Sequence, residues 1–412
     1  MAASVARRRA RRFAAAGVVA LAVAVAPGAQ AAAQPSFTVI ASGLDNPRGL
    51  AFGPDGALYV AEAGRGGSGP CIPGPEGDEV CFGLTGAVTR IKGSQQSRSV
   101  TGLPSLAEQD GSAASGPSDV SFLGLGFVTI GLGADPAARA QLPPSGRTLG
   151  HLLTFAPGAP RALPLPGAAG SEVSATLAQL LPPGRSLDHF LRVFAPRVPR
   201  ALPAVPIADV AGHEASANPD GGEVDSNPQA VQVGPRGAAV TDAGGNSLVQ
   251  VGFDRRIETL AVFGSRMVDA PPFLGLPPGA QIPMQSVPTG VVSRGGAHFV
   301  SELTGFPFQV GAARVHRVVP GQPPQVFATG LTNAIDLDFG PGGTLYVLEI
   351  AHNSLLADPP RGALVKVRPG QAPEVVLDGL NFPTGLTIQG GSAYLTDCGV
   401  CAGGGRVLRV PL

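Results

Sequence analysis

Acidic side chains recur along this chain directly after short apolar stretches that are typical of β-strands. Five of them are Glu62, Asp242, Glu302, Glu349 and Asp397. Carboxylates that converge from several strand ends would suit a hard cation such as Ca²⁺, which takes about six to eight oxygen ligands. Alternatively, each acid caps its own turn by accepting hydrogen bonds from backbone N–H groups. The recurrence favours the capping interpretation, because a structural need repeats along a chain and a ligand site does not.

The densest group of polar side chains lies between residues 213 and 227. It comprises His213, Glu214, Asn218, Asp220, Glu223, Asp225 and Asn227. Oxygen ligation of a metal by Asp220, Glu223 and Asp225 is one interpretation, although their spacing is not that of an EF-hand loop. A polar lid tied by side-chain turns is the other. The predicted ligand-binding residues are the five strand-end acids together with Arg48, Asn218, Asp220, Asp225 and Asn227.

Catalytic motifs of the common hydrolases are missing from the sequence. No Gly-x-Ser-x-Gly elbow presents a serine nucleophile, and the histidines are scattered without metal-ligand spacing. His213, His298, His316 and His352 fall in different segments, where a lone histidine is usually a packed or solvated residue. A metal-assisted hydrolase, lactonase or lyase is therefore suggested only by analogy with enzymes that share the fold predicted below.

Four cysteines form two local pairs. Cys71 and Cys81 flank a Pro/Gly-rich loop, and Cys398 and Cys401 form a Cys-x-x-Cys motif. In an exported protein both pairs are expected to be disulfides. A redox role for the second pair is the alternative, but glycines follow it instead of the helix that would lower the pKa of a reactive thiol.

The elements that must position these residues come from a repeat. Residues 43–62, 330–349 and 379–397 each have a short strand, a tight turn built on Pro-Asp-Gly or Gly-Gly, and a second strand ending in an acid. Weaker copies begin near residues 116, 227 and 288, which makes six units. Third and fourth strands follow, as in residues 362–368 and 374–378. Four-stranded antiparallel units repeated around a ring predict an all-β, six-bladed β-propeller with the acids at its channel mouth.

The two ends of the mature chain indicate how the ring closes. The last unit has three strands, and the chain stops at Leu412. Residues 37–44 match the outer strands of other units, so they are expected to complete the last blade. In that case Val39 pairs beside Leu408, and no strand edge of the ring remains open.

A second repeat lengthens the second blade. Residues 140–151 recur as residues 178–189, and the likeness continues from 155–164 into 194–203. This indicates a tandem duplication of about 38 residues within an insertion spanning about 140–205. One copy is expected to supply the third strand, and the other to lie outside the ring as an irregular or helical excursion.

The first 31 residues have the pattern of an export signal. Five arginines precede an apolar stretch too short to span a bilayer, and Ala29-Gln30-Ala31 fits a cleavage site. Removing those five of 29 basic residues leaves 24 against 29 acidic ones. Such a surface, with Lys92 and Lys366 as its lysines, argues against nucleic acid and anionic lipid as partners. We expect a secreted propeller over residues 32–412, with no membrane insertion.

Several segments resemble the ScyD/ScyE family, which is related to the NHL-type six-bladed propellers. They are residues 43–50, 128–133, 218–228 and 240–246, and the likeness covers essentially the whole mature chain. The family is named after gene clusters for an extracellular sunscreen pigment, and its members have no settled activity. The resemblance implies the fold and export. Gln229-Ala230 departs from it, because an aromatic–glycine pair is more typical there.

Two functions of different classes follow. The first is a non-catalytic exported module that binds a small molecule, a glycan or a protein at the channel mouth. The second is a metal-assisted hydrolase or lyase on the same scaffold. Ca²⁺ is the cofactor that the acids would suit in either case.

Overall fold

The protein is a six-bladed β-propeller, as the repeat predicts. The structure, a computed structural model, describes residues 36–75, 77–157, 204–368 and 370–412. The blades are antiparallel sheets arranged around a central channel. We call the end of the propeller where inner strands begin and second strands finish the inlet end. The opposite end, where inner and second strands are joined by hairpin turns, is the turn end.

The strands follow the predicted order. The first strand is β1 (Thr38–Leu44). Blade 1 has five strands: β2 (Pro47–Phe52), β3 (Leu58–Glu62), β4 (Cys71–Pro73), β5 (Glu79–Lys92) and β6 (Gln95–Ala107). Blade 2 has β7 (Pro117–Leu123), β8 (Leu125–Ile130), β9 (His151–Phe155) and β10 (Val205–Asp209). Blade 3 has β11 (Pro228–Gly234), β12 (Gly237–Asp242), β13 (Ser247–Val251) and β14 (Ile257–Val262).

The second half of the chain builds the remaining blades and one extra hairpin. The hairpin is β15 (Arg266–Asp269) with β16 (Gln281–Met284). Blade 4 has β17 (Pro288–Arg294), β18 (Ala297–Glu302), β19 (Ala313–Val318) and β20 (Gln325–Leu331). Blade 5 has β21 (Ala334–Phe339), β22 (Leu345–Glu349), β23 (Gly362–Val367) and β24 (Glu374–Leu380). Blade 6 has β25 (Gly385–Gln389), β26 (Ser392–Asp397) and β27 (Gly405–Pro411), and β1 is its outer strand.

The predicted closure of the ring is confirmed. β1 pairs antiparallel with β27, and Val39 lies opposite Leu408. Leu44 and Val407 are buried in the same apolar cluster as Leu50 and Val60 of blade 1. The N-terminal strand therefore completes the last blade and also packs it against the first.

Neighbouring blades are joined by hydroxyl groups near the inlet end. Thr129, near the end of the second strand of blade 2, donates a hydrogen bond to the carbonyl of Gln229 in blade 3, at 3.0 Å. Thr241 of blade 3 donates in the same way to Thr289 of blade 4, at 2.6 Å. Thr396 of blade 6 donates to Arg48 of blade 1, at 2.9 Å. These bonds satisfy inner-strand carbonyls that face away from their own blade's sheet.

Blade 1 extends beyond the ring at the inlet end. The first part of β5 pairs with β4, with Cys71 opposite Cys81, and these cysteines form the predicted disulfide. Phe82 packs in one apolar cluster with Leu142 and Leu149 of blade 2. The second predicted disulfide, Cys398–Cys401, lies in the loop between β26 and β27, and no helix follows it. The extension of blade 1 thus packs against blade 2.

A short helix, α1 (Val210–Ala217), follows β10 and leads to the polar segment. Asp209 caps its start by accepting a hydrogen bond from the Gly212 N–H at 2.8 Å. Asn218 ends it in the left-handed conformation, with φ of 38°. Short 3₁₀ helices occur at residues 136–141, 144–148, 272–274 and 341–343.

The duplicated segment is described in part. The first copy, residues 140–151, contains 3₁₀ turns and leads into β9, the third strand of blade 2. The second copy and the predicted export signal lie outside the described residues. Within the ranges that are described, no helix is long and apolar enough to cross a membrane.

Candidate functional site

The five strand-end acids point back into their own blades instead of converging on the channel. All five are at most 1% exposed. Glu62, Glu349 and Asp397 accept hydrogen bonds from the backbone N–H groups of Asp45, Thr332 and Asn381, at 2.7, 2.7 and 2.8 Å. Each of these donors lies just before the inner strand of the same blade. The geometry is that of a turn cap, which ties the entry of a blade to the end of its second strand.

Four of these acids also have a basic partner. Arg98 lies 3.0 Å from Glu62, and Arg266 lies 2.8 Å from Glu302. His352 bonds to Glu349 and Arg406 to Asp397. Burial alone would raise the pKa of Glu302, but the hydrogen bond and charge of His316, with the charge of Arg266, leave it lowered. These buried carboxylates are neutralised within the blade and are not free to bind a cation.

Asp242 of blade 3 is the exception. It accepts hydrogen bonds from the Asn227 N–H and the Ser226 hydroxyl, each at 2.6 Å. Among the described residues no arginine, lysine or histidine pairs with it. Burial raises its pKa, against the effect of those hydrogen bonds. Blade 3 therefore has an inlet acid whose charge is uncompensated.

Three further acids from the polar segment belong to the same electrostatic group: the charge of Asp242 raises the pKa of Glu214 and of Asp225, and the charge of Asp220 raises both as well. We call these four residues, Glu214, Asp220, Asp225 and Asp242, the blade 3 acidic pocket. Glu214, on α1, is 1% exposed. Its Oε1 atom is buried without a hydrogen-bond partner, as is Oδ1 of Asn218. Burial, together with the charges of Asp242, Asp220 and Asp225, raises the pKa of Glu214 to about 7. Buried oxygens without donors are costly, so the pocket is suited to a positively charged occupant.

The rest of the pocket is fixed by the turn that follows α1. Asp220 accepts hydrogen bonds from the Gly222 N–H at 2.8 Å and from the Asn246 amide at 3.0 Å. Burial raises the pKa of Asp225 to about 6, with the charge of Asp242 as the next cause. Glu223, the third predicted metal ligand, is exposed. Glu214 is not one of the three predicted metal ligands of the segment, and Asp242 was considered for a cation only as one of the five strand-end acids.

The pocket does not hold its carboxylates at the spacing of a bound ion. In the described part of the chain, the one group of three or more His, Cys, Asp or Glu ligand atoms within 4.8 Å of one another is Cys71, Glu79 and Cys81, whose sulfurs form a disulfide. Oxygens around Ca²⁺ lie about 2.3–2.6 Å from the ion, so opposite ligands are about 5 Å apart. The oxygen donor set fits a hard cation, and the carboxylates would have to draw together around it.

Arg48, predicted as a ligand contact, lies across the inlet end of the channel. Its guanidinium donates to the carbonyl of Gly399 in blade 6 and to that of Ala114, the latter at 2.7 Å. Within the described ranges it has no carboxylate partner. Burial lowers its pKa to about 10. Arg48 therefore ties two inlet loops together and keeps an uncompensated positive charge near the mouth.

Asn227 explains why blade 2 has glycine instead of an acid at the end of its second strand. A Cβ atom on Gly131 would lie 2.5 Å from Oδ1 of Asn227 and 2.9 Å from the Ser118 hydroxyl. The Gly131 N–H donates instead to the carbonyl of Gly116, at 2.7 Å. Asn227 thus packs against blade 2 and is not part of the acidic pocket.

The channel itself contains acids that sequence reasoning missed. A cavity of about 300 Å³ is lined by all six inner strands, and Asp119, Asp336 and Asp338 face it. Burial raises the pKa of Asp119 to about 7 and that of Asp338 to about 6. Asp119 and Asp336 are the third residues of the inner strands of blades 2 and 5. That shared position in the repeat was the signal that would have found them.

The histidines do not form one site. His316 and His352 bond to Glu302 and Glu349 within their blades. The Nε2 atom of His213 lies 2.9 Å from the hydroxyl of Thr259. His298 is at the turn end of blade 4, far from the inlet acids along the strand. Among the described residues, no two of these histidines belong to one group of potential metal ligands.

Comparison with known proteins finds solved structures that are similar to this chain at low sequence identity. No protein family profile matches the chain, and no curated protein matches it by sequence. An aldose sugar dehydrogenase from Streptomyces coelicolor, in its PQQ-bound form, is similar over 92% of this chain and 99% of its own, with 11% identity and a TM-score of 0.48.

Two other solved structures are similar over the same share of this chain. A virginiamycin B lyase from Staphylococcus aureus with quinupristin is 11% identical over 92% of this chain and 99% of its own, with a TM-score of 0.42. A putative gluconolactonase is 10% identical over 92% of this chain and 93% of its own, with a TM-score of 0.44. At these identities no activity is transferred.

Proposed function

We propose that this protein is an exported propeller of the ScyD/ScyE kind that binds a hard divalent cation, Ca²⁺, in the blade 3 acidic pocket. Through that cation it binds an oxygen-rich small molecule, a glycan or a protein at the channel mouth. The observation that carries the proposal is the uncompensated pocket: four carboxylates without a basic partner among the described residues, and a buried Glu214 oxygen without a donor.

The inlet acid of blade 3 differs from those of four other blades, because no basic side chain among the described residues neutralises it. In blades 1, 4, 5 and 6 an arginine or histidine meets the inlet acid. In blade 3 the corresponding place is taken by α1 and the turn after it, which bring more carboxylates. A cation that replaces the missing base offsets the repulsion, and its ligand shell accepts the orphaned oxygens of Glu214 and Asn218.

Export is supported by two features. Both cysteine pairs form disulfides, which persist in oxidising compartments. The first 31 residues have the composition of a signal peptide. Secretion of a tagged full-length chain into the medium, lost when residues 1–31 are removed, is the direct measurement.

The cation is tested by thermal unfolding of the mature chain with and without Ca²⁺. A ligand at about 100 times its Kd stabilises the native state by about 2.7 kcal/mol, which corresponds to a rise of several degrees in Tm. We expect that rise in the wild type and its loss in the Asp220→Ala, Asp225→Ala double variant. The matched control is Asp254→Ala with Glu258→Ala, which removes two acids from the opposite side of blade 3 and should keep the Ca²⁺ response.

A Ca²⁺ response that is equal in both double variants would place the ion elsewhere, and no response at millimolar Ca²⁺ would reject the proposal. EDTA-treated protein is the baseline in each case.

A metal-assisted hydrolase is the second candidate, and one observation favours it. Arg48 keeps an uncompensated guanidinium near the channel mouth, where it would stabilise negative charge on the oxygen of a substrate carbonyl. Ca²⁺-dependent hydrolysis of lactones, lost in Arg48→Gln with the Ca²⁺-induced rise in Tm retained, would favour the enzyme. Ca²⁺ binding without turnover would favour the binding module.

A further inference from the structure

The loop between β26 and β27, at the inlet end of blade 6, contains the disulfide-bonded Cys-x-x-Cys segment of residues 398–401. No helix follows it, so no helix dipole favours a thiolate there. The other pair, Cys71–Cys81, joins residues that lie opposite each other in β4 and β5. The two disulfides of one chain therefore have different surroundings and can be compared directly.

Backbone hydrogen bonds hold the loop independently of its disulfide. The N–H of Cys398 donates to the carbonyl of Asn381 at 2.6 Å. The carbonyl of Cys401 accepts from the N–H of Asn46 at 3.1 Å. The sequence separation of this pair is 3, against 10 for the other pair, and a shorter closed loop restricts the unfolded chain less. The loop can therefore keep its place when its disulfide opens.

The two sulfurs differ in how they can be approached. Cys398 is 7% exposed, whereas Cys401 is partly exposed. Gly404 borders Cys401: it is itself exposed, and a Cβ on it would lie 3.9 Å from the Cys401 sulfur. Because glycine has no side chain, that side of the sulfur is open to an incoming thiol. Cys401 is therefore the sulfur to be attacked, and Cys398 is the one that leaves.

The leaving sulfur already has a hydrogen-bond donor. The Nδ2 atom of Asn381 lies 3.0 Å from Sγ of Cys398. A sulfur in a disulfide is a weak acceptor, whereas a thiolate carries a full negative charge. A hydrogen bond to the charged form of a group favours that form. The side-chain amide of Asn381 therefore stabilises Cys398 as a thiolate.

Arg48 brings a positive charge to the same loop. Its guanidinium donates to the carbonyl of Gly399, the residue after Cys398, and has no carboxylate partner in the described part of the chain. A cation beside a cysteine favours the thiolate. The two acids that border the loop are each paired with another arginine: Asp397 with Arg406, and Asp45 with Arg98. Arg48 and Asn381 thus supply what the missing helix does not.

We propose that Cys398–Cys401 is a redox-active disulfide that oxidises dithiols by thiol–disulfide exchange. One thiolate of the dithiol attacks Sγ of Cys401, and the S–S bond breaks with its electron pair on Sγ of Cys398. The second thiolate attacks the dithiol sulfur now bonded to Cys401, which closes the disulfide of the substrate and releases Cys401. The dithiol loses two electrons and two protons. The electrons reduce the cysteine pair, and the protons pass to Cys401 and to water.

The first experiment compares the two pairs in the mature chain. The protein is equilibrated in glutathione buffers of increasing reduced fraction, in EDTA because the exchange needs no cation, and free thiols are alkylated and located by mass spectrometry. Stabilising the thiolate favours the reduced pair. We expect Cys398–Cys401 to open at a reduction equilibrium constant about tenfold or more above that of Cys71–Cys81. Opening of both pairs in the same buffers, or of Cys71–Cys81 first, would overturn the proposal.

Substitutions separate thiolate stabilisation from a structural role. In a Cys401→Ser chain, Asn381→Ala and Arg48→Gln should each raise the pKa of the Cys398 thiol, followed by the ultraviolet absorbance of the thiolate. Arg48→Lys keeps the charge and should retain part of the effect. Arg361→Gln removes an exposed arginine of the inlet end and should leave this pKa unchanged. A Cys398 pKa that is the same in both test variants as in their parent would contradict the assignment.

The source of the dithiol is identified by two substrates. Dithiothreitol and a reduced peptide with two cysteines should each be oxidised in one equivalent per chain, and the faster reaction shows whether a small molecule or a polypeptide is preferred. The Cys398→Ser, Cys401→Ser double variant should oxidise neither. Oxidation by this variant at the wild-type rate, or no oxidation by the wild type, would reject the exchange activity and leave the cation proposal untouched.

Discussion

At the residue scale, one inlet position recurs with an unusual backbone conformation. In three blades the residue just before the inner strand has a positive φ: 48° at Asn46, 53° at Val287 and 43° at Asn333; in blade 6 the φ of Phe382, three residues before β25, is 42°. Asparagine tolerates this region, whereas a β-branched residue does not. Blade 4 therefore carries strain at Val287 that blades 1 and 5 avoid.

Replacing this valine should stabilise the protein. Val287→Asn is expected to raise the free energy of unfolding by about 1 kcal/mol, since the left-handed conformation costs that much more for valine. Denaturant unfolding of the two proteins under the same conditions measures the difference. The reverse change in blade 5, Asn333→Val, should destabilise, because it also removes the hydrogen bond from Asn333 to the carbonyl of Leu303 at 2.9 Å. A less stable Val287→Asn variant would contradict the argument.

Residue patterns in the sequence predict the strand-end acids of the candidate site but not the surroundings of Glu214. The strand-end acids were identifiable because each follows the same local motif, and their capping role follows from that repetition. Glu214 was visible only as one more acid in a polar segment. The carboxylate of Glu214 packs against Gly245, where a Cβ would lie 2.4 Å from its Oε2 atom. That contact joins residues about 30 positions apart on different elements, and no local pattern encodes it.

At the scale of the elements, the inner strands need acceptors for N–H groups on their channel edge. Asp119 of β7 accepts from Val231 of β11 at 2.9 Å, and Asp336 of β21 accepts from Leu386 of β25 at 2.7 Å. Asp338 repeats the pattern two residues later, accepting from Ile388 at 2.7 Å. These carboxylates link blade 2 to blade 3 and blade 5 to blade 6.

The links make stability depend on pH. The pKa of Asp119 is raised to about 7 and that of Asp338 to about 6, and that of Asp336 is raised as well, in each case chiefly by burial. A carboxyl group whose folded pKa exceeds its unfolded value contributes stability that is present at low pH and lost as the pH rises through the folded pKa. The free energy of unfolding should therefore fall between pH 5 and pH 8, with Asp119 alone contributing roughly 1–3 kcal/mol.

A single substitution isolates the contribution of the channel. Asp119→Asn cannot ionise, so its free energy of unfolding should fall less between pH 5 and pH 8 than that of the wild type. Asp78→Asn, an exposed acid of blade 1, should keep the wild-type slope. Measurements in EDTA exclude bound metal ions as a source of the difference. Identical slopes for wild type and Asp119→Asn would show that the channel acids do not govern the pH response.

At the scale of the whole molecule, the ring could be predicted from the sequence and the side-chain contacts between its blades could not. The six units, their tight turns and the pairing of the chain ends are encoded in short-range repeats that any strand-and-turn analysis detects. The paired acids of the channel escaped notice because their partners belong to the next blade. Gly49 shows this dependence: a Cβ there would lie 2.0 Å from Oδ1 of Asp119. Glycine in one blade makes room for the acid of the next.

The ring depends most on β1, the N-terminal strand that closes it. β27 has β26 on one side and β1 on the other, and Leu408 and Val407 are fully buried between them. Deleting residues 36–44 would leave an unpaired strand edge and uncover the cluster that contains Ala41 and Leu44. We expect a loss of roughly 3 kcal/mol or more from the buried apolar surface and hydrogen bonds, together with aggregation.

The matched control for this deletion is a chain that begins at Ser36 and keeps β1. It should unfold with the same Tm as the chain without residues 1–31, since it keeps the whole pairing of β1 with β27. A synthetic peptide of residues 36–44, added to the deleted chain, should restore part of the stability, because it can pair with β27 in the register that places Val39 opposite Leu408. A deleted chain as stable and monomeric as the control would mean that the ring is held by its blade-to-blade packing and hydroxyl links alone.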